Sequence, residues 1–583
     1  MKIKKNIRFL ILYIFIGLFF VITLGRLFYL QILCADTAQK TVISYLSLSS
    51  VANAPRGNIC DRNGTVLAGN RKGYMVLIKK GSDEDLAVTI KNLAEFHGTT
   101  YEELLLAVKK ENLSFNNPYI FTEDANFELI TKIKEAPYKY PCAEIITQPI
   151  REYFYPTTAV HLLGRCGIIS KEEYEKNPTY ARDDYIGKQG AERAFEEILR
   201  GIDGTYAKEK YVDGKEKKFC EDIPAIPGKD VFLTIDLSLQ QHVEEELSKV
   251  VTSNKTATGG AVVITDVNSG EILALASNPT YNITEFSKNY NKLSKDERKP
   301  FFNRSLSGLY EPGSTFKPIT AIASLESGDL EHTETMKTLG KYQYFDRVFR
   351  CNIYREKGKN HGTIDVSTAL GVSCNYFFYE LGARTGIDKI STYAKDFGLD
   401  SSTGIELSKE EAIGTVATPK NRKARGGKWY AGDTLQAAIG QSDNLFTPVA
   451  MSAYAAALAN GGTLYSSHIL KAVRDLDGNL IKTESEILNT IDISAKTMQT
   501  IKEGMLYVTQ KGTAKEVFRN FPIEIAGKTG TAQVGNSTNG LFIGYAPADN
   551  PKISFCVVIE GGKSAYSAAT VLKNVLSYYI DTE

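Results

Sequence analysis

Ser314, Thr315, Phe316 and Lys317, inside Glu311-Pro-Gly-Ser-Thr-Phe-Lys-Pro318, set a hydroxyl and an amine three residues apart where a helix is predicted to begin. Pro312-Gly313 breaks what precedes, Ile319, Ile322 and Leu325 recur at helical spacing, and Pro318 fits only an early turn. Residues three apart share a helix face, so Ser314 and Lys317 form a serine nucleophile with an adjacent base. A lysine serves as base only if its pKa falls from about 10.4 toward 7, a difference of about 4 kcal/mol. Burial and a second cation do this, so the site needs another lysine. Lys528-Thr529-Gly530-Thr531 offers one on the strand-like segment 523–534. Its ammonium and two threonines present donors for a carboxylate, and Gly530 leaves room for a ligand backbone. A substrate with a free C-terminal carboxylate follows. Ser373-Cys374-Asn375, at a break between helical patterns 366–370 and 376–382, supplies a relay hydroxyl and an amide to hold a substrate amide. Each cluster is common by itself, but the three together describe an acyl-transfer site.

The elements that position them are legible from periodicity. A strand at 231–235, an amphipathic helix at 237–251 and a hairpin of 261–266 with 271–276 are followed by mainly helical segments to about residue 506. Strands then return at 523–534, 541–545 and 553–559, before a helix at 564–580. Strands at both ends with helices between predict one antiparallel sheet covered by helices. Upstream, 56–68 reads as two short strands about an Asn63-Gly64 turn with positive φ at both positions, and 85–96, 100–111 and 127–135 as helices before a strand at 144–147. Gly187 to Glu192 opens an amphipathic helix ending near Gly201, and a polar stretch to Pro227-Gly228 reads as a boundary.

The chain has 583 residues, enough for several domains, and its 69 basic and 68 acidic residues give no field for a polyanion. Nucleic acid is not an expected partner. Residues 9–25 carry no charge, follow Lys2, Lys4, Lys5 and Arg8, and continue apolar past Arg26 to Leu33. Seventeen residues span roughly 25 Å, so the continuation completes a crossing of the roughly 30 Å hydrocarbon layer. No small-residue cleavage site follows, which predicts a retained single-pass anchor with a cytoplasmic N-terminus and everything after about residue 34 outside. The eight cysteines, at 34, 60, 142, 166, 220, 351, 374 and 556, show no paired spacing and read mostly as buried small hydrophobes.

With Ser-x-x-Lys, Ser-x-Asn and Lys-Thr-Gly in this order, the chain resembles the penicillin-recognising serine acyltransferases, and within them the class B penicillin-binding proteins. Asn303-Arg304, Tyr310 with the following Glu-Pro-Gly, Gly440-Gln441, Thr447-Pro448 and Asn460-Gly-Gly are similar to their transpeptidase domain. Arg56-Gly-x-Ile-x-Asp-Arg-Asn-Gly, Arg151, Tyr155-Pro156 and Gly187 to Glu192 resemble their non-catalytic pedestal. The resemblance implies an α+β multidomain chain with three parts. These are a transmembrane segment at 1–33, an extended α+β pedestal of dimerisation type at 34–228, and a transpeptidase domain at 229–583.

It also implies that Ser314 attacks the D-Ala-D-Ala bond of a peptidoglycan stem peptide, releases the terminal D-Ala and passes the acyl group to a neighbouring amine, a 3-4-type cross-link. Lys317 is then the base, Ser373 the relay near Lys528, Asn375 the amide anchor, and Thr529 and Thr531 the carboxylate donors, with Ser314 and Thr531 N–H as the oxyanion hole. β-Lactams are expected to acylate Ser314, and a polytopic membrane glycosyltransferase is the implied partner. Glu123-Asp124-Ala-Asn-Phe127 has the opening of a glycosyltransferase motif but Ile130 where that motif needs His, which reads as chance.

Cys374 departs from the usual Ser-Asp-Asn, and Cys351 and His361 lie upstream. Two thiolates and an imidazole suit three positions of a structural zinc ion behind the Ser-x-Asn loop, with Asp443 as a candidate fourth. The spacing matches no standard zinc pattern, and a buried thiol beside a loop histidine is the other reading. No cofactor is required by the acyl-transfer chemistry itself. Two rival functions stand beside the transpeptidase. A β-lactamase or sensor lacks here a Glu-x-x-Leu-Asn base segment, and a silent scaffold has no need of Ser314, Lys317 and Lys528.

Overall fold

Segments Gly259–Asp266, Ser537–Ala546 and Ile553–Glu560 are buried at nearly every position rather than every second one, the pattern of strands covered on both faces. The computed structural model describes residues 2–29, 48–111, 113, 118–177, 179–181, 184–210, 216–218, 223–535 and 537–582. In it these segments are the middle of a five-stranded antiparallel sheet. Its strands are β1 (Gly259–Asp266), β2 (Ile272–Asn278), β3 (Ala526–Val534), β4 (Ser537–Ala546) and β5 (Ile553–Glu560), in the order β2-β1-β5-β4-β3. Val262 pairs with Val557 and Lys528 with Ile543. The strand that carries Lys528 is therefore an edge.

Six helices frame the site: α1 (Leu237–Ser253), α2 (Lys317–Glu326), α3 (Asn375–Asp396), α4 (Pro448–Ala459), α5 (Ala495–Gln510) and α6 (Ala565–Thr582). Successive sheet residues go to opposite cores, as a period of two requires. Val262, Ile264, Val557 and Ile559 pack with α1 and α6, whereas Leu541, Ile543, Cys556 and Val558 pack with α4 and the helical layer around α2 and α3. All of α4 is buried, which explains a helix with no polar stripe; Thr447 caps it and Pro448 opens it.

The chain packs as two compact units that do not follow one cut near residue 228. Residues 56–70 and 151–200 belong with 228–583, and the other unit is 1–55, 71–150 and 201–227. Within the larger unit Arg56 and Arg151 converge on Glu192 at 2.9 and 2.6 Å, with Glu192 fully buried. Burial alone raises its pKa, but the two guanidiniums outweigh that and hold the carboxyl below its ordinary range. Strand Ile59–Cys60 runs parallel beside Asp230–Leu233 in the same unit. A motif spacing reveals none of these long-range pairings.

The other unit follows its periodicity, with helices Asp83–His97, Tyr101–Lys110 and Phe127–Glu135 capped by Ser82, Thr100 and Asn126. Asn126 ends the Glu123-to-Phe127 stretch as a helix cap, while Asp124 pairs with Arg71, so that stretch is structural here. One helix among the described residues is long and apolar enough to cross a membrane, Leu10–Phe28 near the N-terminus. Its expected continuation through Leu33, and Cys34 and Cys220, lie outside the described residues. The six described cysteines are all free and buried.

Three local expectations need correction. Gly64 alone has positive φ in the first turn, because the Asp61 carboxylate takes the N–H of Asn63 and Thr65 and closes a wider loop. The helix expected from Gly187 is instead a strand Tyr185–Gly187 and two short helices, Gly190–Ala194 and Glu196–Leu199. A Cβ at Gly187 would lie 2.0 Å from Glu192 O, so these glycines serve tight backbone packing. The segment before residue 506 also contains small sheets. One is the hairpin Lys341–Tyr344 with Arg347–Arg350, whose first strand alternates exposed Lys341 and Gln343 with half-buried Tyr342 and Tyr344.

Candidate active site

The turn Gly313–Phe316 is a 3-10 turn that runs straight into α2, with Lys317 N–H bonded to Ser314 O. Residues three apart eclipse in such a turn, so Ser314 and Lys317 lie on one face. Glycines clamp it. Gly313 takes φ 53°, and its N–H donates to Gly440 O at 2.9 Å. A Cβ at Gly313 would meet Thr531 O at 2.9 Å, and one at Gly530 would meet Pro312 O at 2.7 Å and Thr315 Cγ2 at 2.8 Å. Gly530 is thus demanded by the packing of β3 on the nucleophile turn, a reason the tripeptide alone does not reveal. The same packing brings the Thr531 backbone beside the turn.

Lys317 and Lys528 are both fully buried. Lys317 Nζ donates to Ser373 O at 2.9 Å, Ser373 Oγ at 3.2 Å and Asn375 Oδ1 at 2.6 Å. Lys528 Nζ reaches Ser373 Oγ at 3.0 Å and Thr529 O at 3.1 Å. One hydroxyl therefore bridges two buried amines. Burial lowers the Lys317 pKa to about 8, against attraction from Cys351 and Cys374. Burial, then repulsion from Lys317, pushes Lys528 well below the usual lysine range. Ser314 is half-buried and its hydroxyl makes no hydrogen bond among the described residues.

Ser373 holds this bridge in a left-handed conformation, φ 54°, which costs a non-glycine residue about 1–2 kcal/mol. The loop is over-determined by its neighbours. Cys374 N–H bonds Ala369 O at 2.9 Å, the Tyr507 ring of α5 fills the space beside Gly371, and Thr513 N–H bonds Gly371 O at 3.3 Å. Asn375 then opens α3, its Oδ1 on Lys317 and its Nδ2 3.5 Å from Asn352 Oδ1. Its side chain is engaged at both ends, so holding a substrate amide requires exchange of the Asn352 contact. Thr531 is exposed on β3, and Thr529 Oγ1 lies 2.6 Å from Thr513 Oγ1.

Thr513 and Asn352 are the residues that sequence reasoning missed; Gly512-Thr513 reads only as a helix end, and no spacing ties it to Thr529. The tripeptide Ser442-Asp443-Asn444 is closer in type to Ser-Asp-Asn than Ser373-Cys374-Asn375, yet it is a loop brace. Ser442 Oγ accepts from Arg422, and the Asn444 side chain bonds the backbone of Ala417, Ala437 and Gln441.

Behind the Ser373 loop, ligand atoms of Cys351, His361 and Cys374 lie within 4.8 Å of one another, with Cys351 Sγ 3.9 Å from His361 Nδ1. Zinc bonds of about 2.3 Å to sulfur and about 2.1 Å to nitrogen hold such atoms about 3.6 Å apart, so a small contraction closes the set. The hydrogen bond from Cys374 pushes the Cys351 thiol down, with burial opposing, and the same bond pushes Cys374 up. Asp443 does not join them, because it is held by Arg422 at 2.5 Å and Arg425 at 3.8 Å. The three donors suit zinc in type, and their spacing stands open of the bonded one.

The penicillin binding protein transpeptidase domain matches residues 260–577, and the penicillin-binding protein dimerisation domain matches 51–233. Peptidoglycan D,D-transpeptidase MrdA of Haemophilus influenzae is 30% identical over 100% of this chain and 93% of its own. Penicillin-binding protein PBP2 of Helicobacter pylori, solved in complex with MreC, is similar with TM-score 0.81 and 25% identity over 92% of this chain and 98% of that one. A chain from a structure describing coordination of polymerization and crosslinking by a peptidoglycan synthase complex is similar with TM-score 0.72 and 26% identity, over 99% of both chains.

Proposed function

The chain belongs to the class B penicillin-binding proteins and is a peptidoglycan D,D-transpeptidase, and on that premise we propose that Ser314 is its nucleophile, Lys317 the base and Ser373 the relay. The observation that carries the assignment is the Ser373 hydroxyl between Lys317 Nζ at 3.2 Å and Lys528 Nζ at 3.0 Å. Neutral Lys317 takes the Ser314 proton as Oγ attacks the carbonyl of the penultimate D-Ala. The Ser314 and Thr531 N–H groups hold the developing oxyanion, each worth about 3 kcal/mol. Lys528, Thr529 and Thr531 bind the terminal carboxylate. The proton passes through Ser373 to the leaving nitrogen, and D-Ala departs. An amine of a neighbouring stem then attacks the ester, gives up its proton to the same base, and leaves a 3-4-type cross-link with Ser314 restored. As an edge strand, β3 has backbone groups to pair with an extended stem peptide, which supports this reading.

Reconstitution with lipid-linked precursor and a polymerase, scored for cross-linked stem dimers by mass spectrometry, tests it together with labelled penicillin. Cross-links and a long-lived adduct are expected. A transient adduct with drug hydrolysis identifies a lactamase, and no adduct at all a scaffold. The anchor reading has Leu10–Phe28 in the membrane, the basic N-terminus in the cytoplasm and the catalytic unit outside. A polytopic membrane glycosyltransferase is the proposed source of the strands, which the similarity to a synthase-complex chain supports.

Cys351, His361 and Cys374 are proposed to hold a structural zinc ion that stiffens the loop carrying Ser373 and Asn375. About one zinc per chain is expected by metal analysis after dialysis. Cys374→Ser should lose the metal and slow penicillin acylation about tenfold. Sub-stoichiometric zinc that washes away ends this assignment.

A further inference from the structure

The chain is almost neutral overall, with 69 basic and 68 acidic residues, so a local excess of one sign stands out against it. One flank of the Ser314 site has such an excess. The hairpin Lys341–Tyr344 with Arg347–Arg350, and the stretch through helix Asn352–Lys357, carry Lys341, Arg347, Arg350, Arg355, Lys357 and Lys359 against only Asp346 and Glu356. All six cations are exposed. Lys341 lies 5.0 Å from the centroid of the Tyr354 ring, and among the described residues none of the other five makes an ion pair. At the hairpin tip Phe345 is 75% exposed.

This flank is joined to the catalytic groups. Asn352 takes the Asn375 contact, and Phe349 packs on Tyr379 of α3 with ring centroids 5.3 Å apart. Phe349 also lies 3.0 Å from where a Gly432 Cβ would stand, which brings in the preceding stretch with Lys420, Lys423 and Lys428, all exposed, and Tyr430. Among the described residues the arginines there are neutralised, Arg422 by Asp433 and Asp443 and Arg425 by Asp443, and the lysines make no ion pair. Acyl transfer at Ser314 uses none of these charges. Clustered cations without counter-ions repel one another, and this cluster is complementary to a polyanion that reaches the same cleft.

We propose that this flank docks the uncross-linked peptidoglycan strand, its cations taking free carboxylates of the stem peptides and its exposed rings lying against sugar faces. The proposal rests on the transpeptidase reading, whose substrate is a polymer with carboxylates at regular intervals. Interleaved rings suit a sugar polymer, since an aromatic face is a flat amphipathic platform.

The test measures binding of soluble uncross-linked strands to full-length protein carrying Ser314→Ala, so that turnover does not intervene. Adding Arg347→Gln, Arg350→Gln and Lys357→Gln is expected to weaken strand binding about tenfold and to flatten its salt dependence, with the melting temperature unchanged because the side chains are exposed. Arg347→Lys with Arg350→Lys should retain binding. Strands with amidated stem carboxylates should bind the unaltered flank as weakly as native strands bind the triple variant. Equal binding by the triple variant and its parent overturns the proposal, as does binding indifferent to amidation. Loss of binding to phosphatidylglycerol vesicles with strand binding intact also overturns it, assigning the flank to a membrane surface instead. Absence of cross-links from the Ser314 enzyme is a separate result that strikes the transpeptidase reading and leaves strand binding to be judged by its own measurement.

Discussion

Lys317→Ala is expected to slow acylation of Ser314 by labelled penicillin about 10³-fold, with Ser314→Ala giving no adduct at all. A hydroxyl without a base is a poor nucleophile, and Lys317 is the buried amine one helical step from Ser314. The pH profile of the unaltered enzyme checks the same assignment. Lys317 titrates near pH 8, lowered from 10.5 by burial, so its neutral form grows as pH rises and acylation should climb through about pH 8. The linkage sign runs the same way. The folded protein releases this proton more readily than the unfolded chain, so the protonated lysine opposes folding below about pH 8 and the penalty fades as pH rises toward 10.5. In Lys317→Ala the rise through pH 8 should vanish. Ser373 O and Asn375 Oδ1 lose their donor there, at about 1–3 kcal/mol for each group left unsatisfied, so thermal denaturation must accompany the rates. A variant that folds and still acylates at the parental rate removes Lys317 from the mechanism.

Ser373→Gly separates function from strain in one residue. At φ 54° the serine is in a region glycine enters freely, so the substitution relieves about 1 kcal/mol of backbone strain while deleting the hydroxyl between the two lysines. Acylation should fall about 10²-fold, and because both substitutions remove the same acceptor from the two lysines, the melting temperature of Ser373→Gly should exceed that of Ser373→Ala by the relieved strain. Ser373→Ala loses the same hydroxyl and keeps the strain, so it should be equally slow and no more stable. Parental acylation by either variant excludes Ser373 as the relay. A stability loss in Ser373→Gly as large as in Ser373→Ala shows instead that the strained loop was not costly.

Much of the scaffold was legible because its signals are local. Phe127–Glu135 matches its predicted span, and α1 and β5 lie where helical period and continuous apolar runs place them. The turn at Asn63-Gly64 misled, since the Asp61 carboxylate just outside the dipeptide governs it. The helix expected from Gly187 failed for a related reason. Gly190 answers to the backbone of Gly164, which approaches from elsewhere in the chain, and Gly187 to Glu192 O of the short helix that follows it.

By itself the sequence determined the chemical inventory: a serine three residues from a lysine on one face, a second lysine on a strand, a Ser-x-Asn turn, and an apolar N-terminal helix. Those are matters of residue type and short spacing, which the backbone's fixed periods convert directly into faces. Only the tertiary structure set the Ser373 hydroxyl between the two amines and made Ser442-Asp443-Asn444 a loop brace. It alone also closed the ligand atoms of Cys351, His361 and Cys374 to within 4.8 Å of one another and set the hairpin that carries the cations of 341–359 against α3. Such convergence depends on which surfaces interlock, and here it is set by close backbone contacts at Gly313, Gly371, Gly512 and Gly530, whose partners no local pattern names.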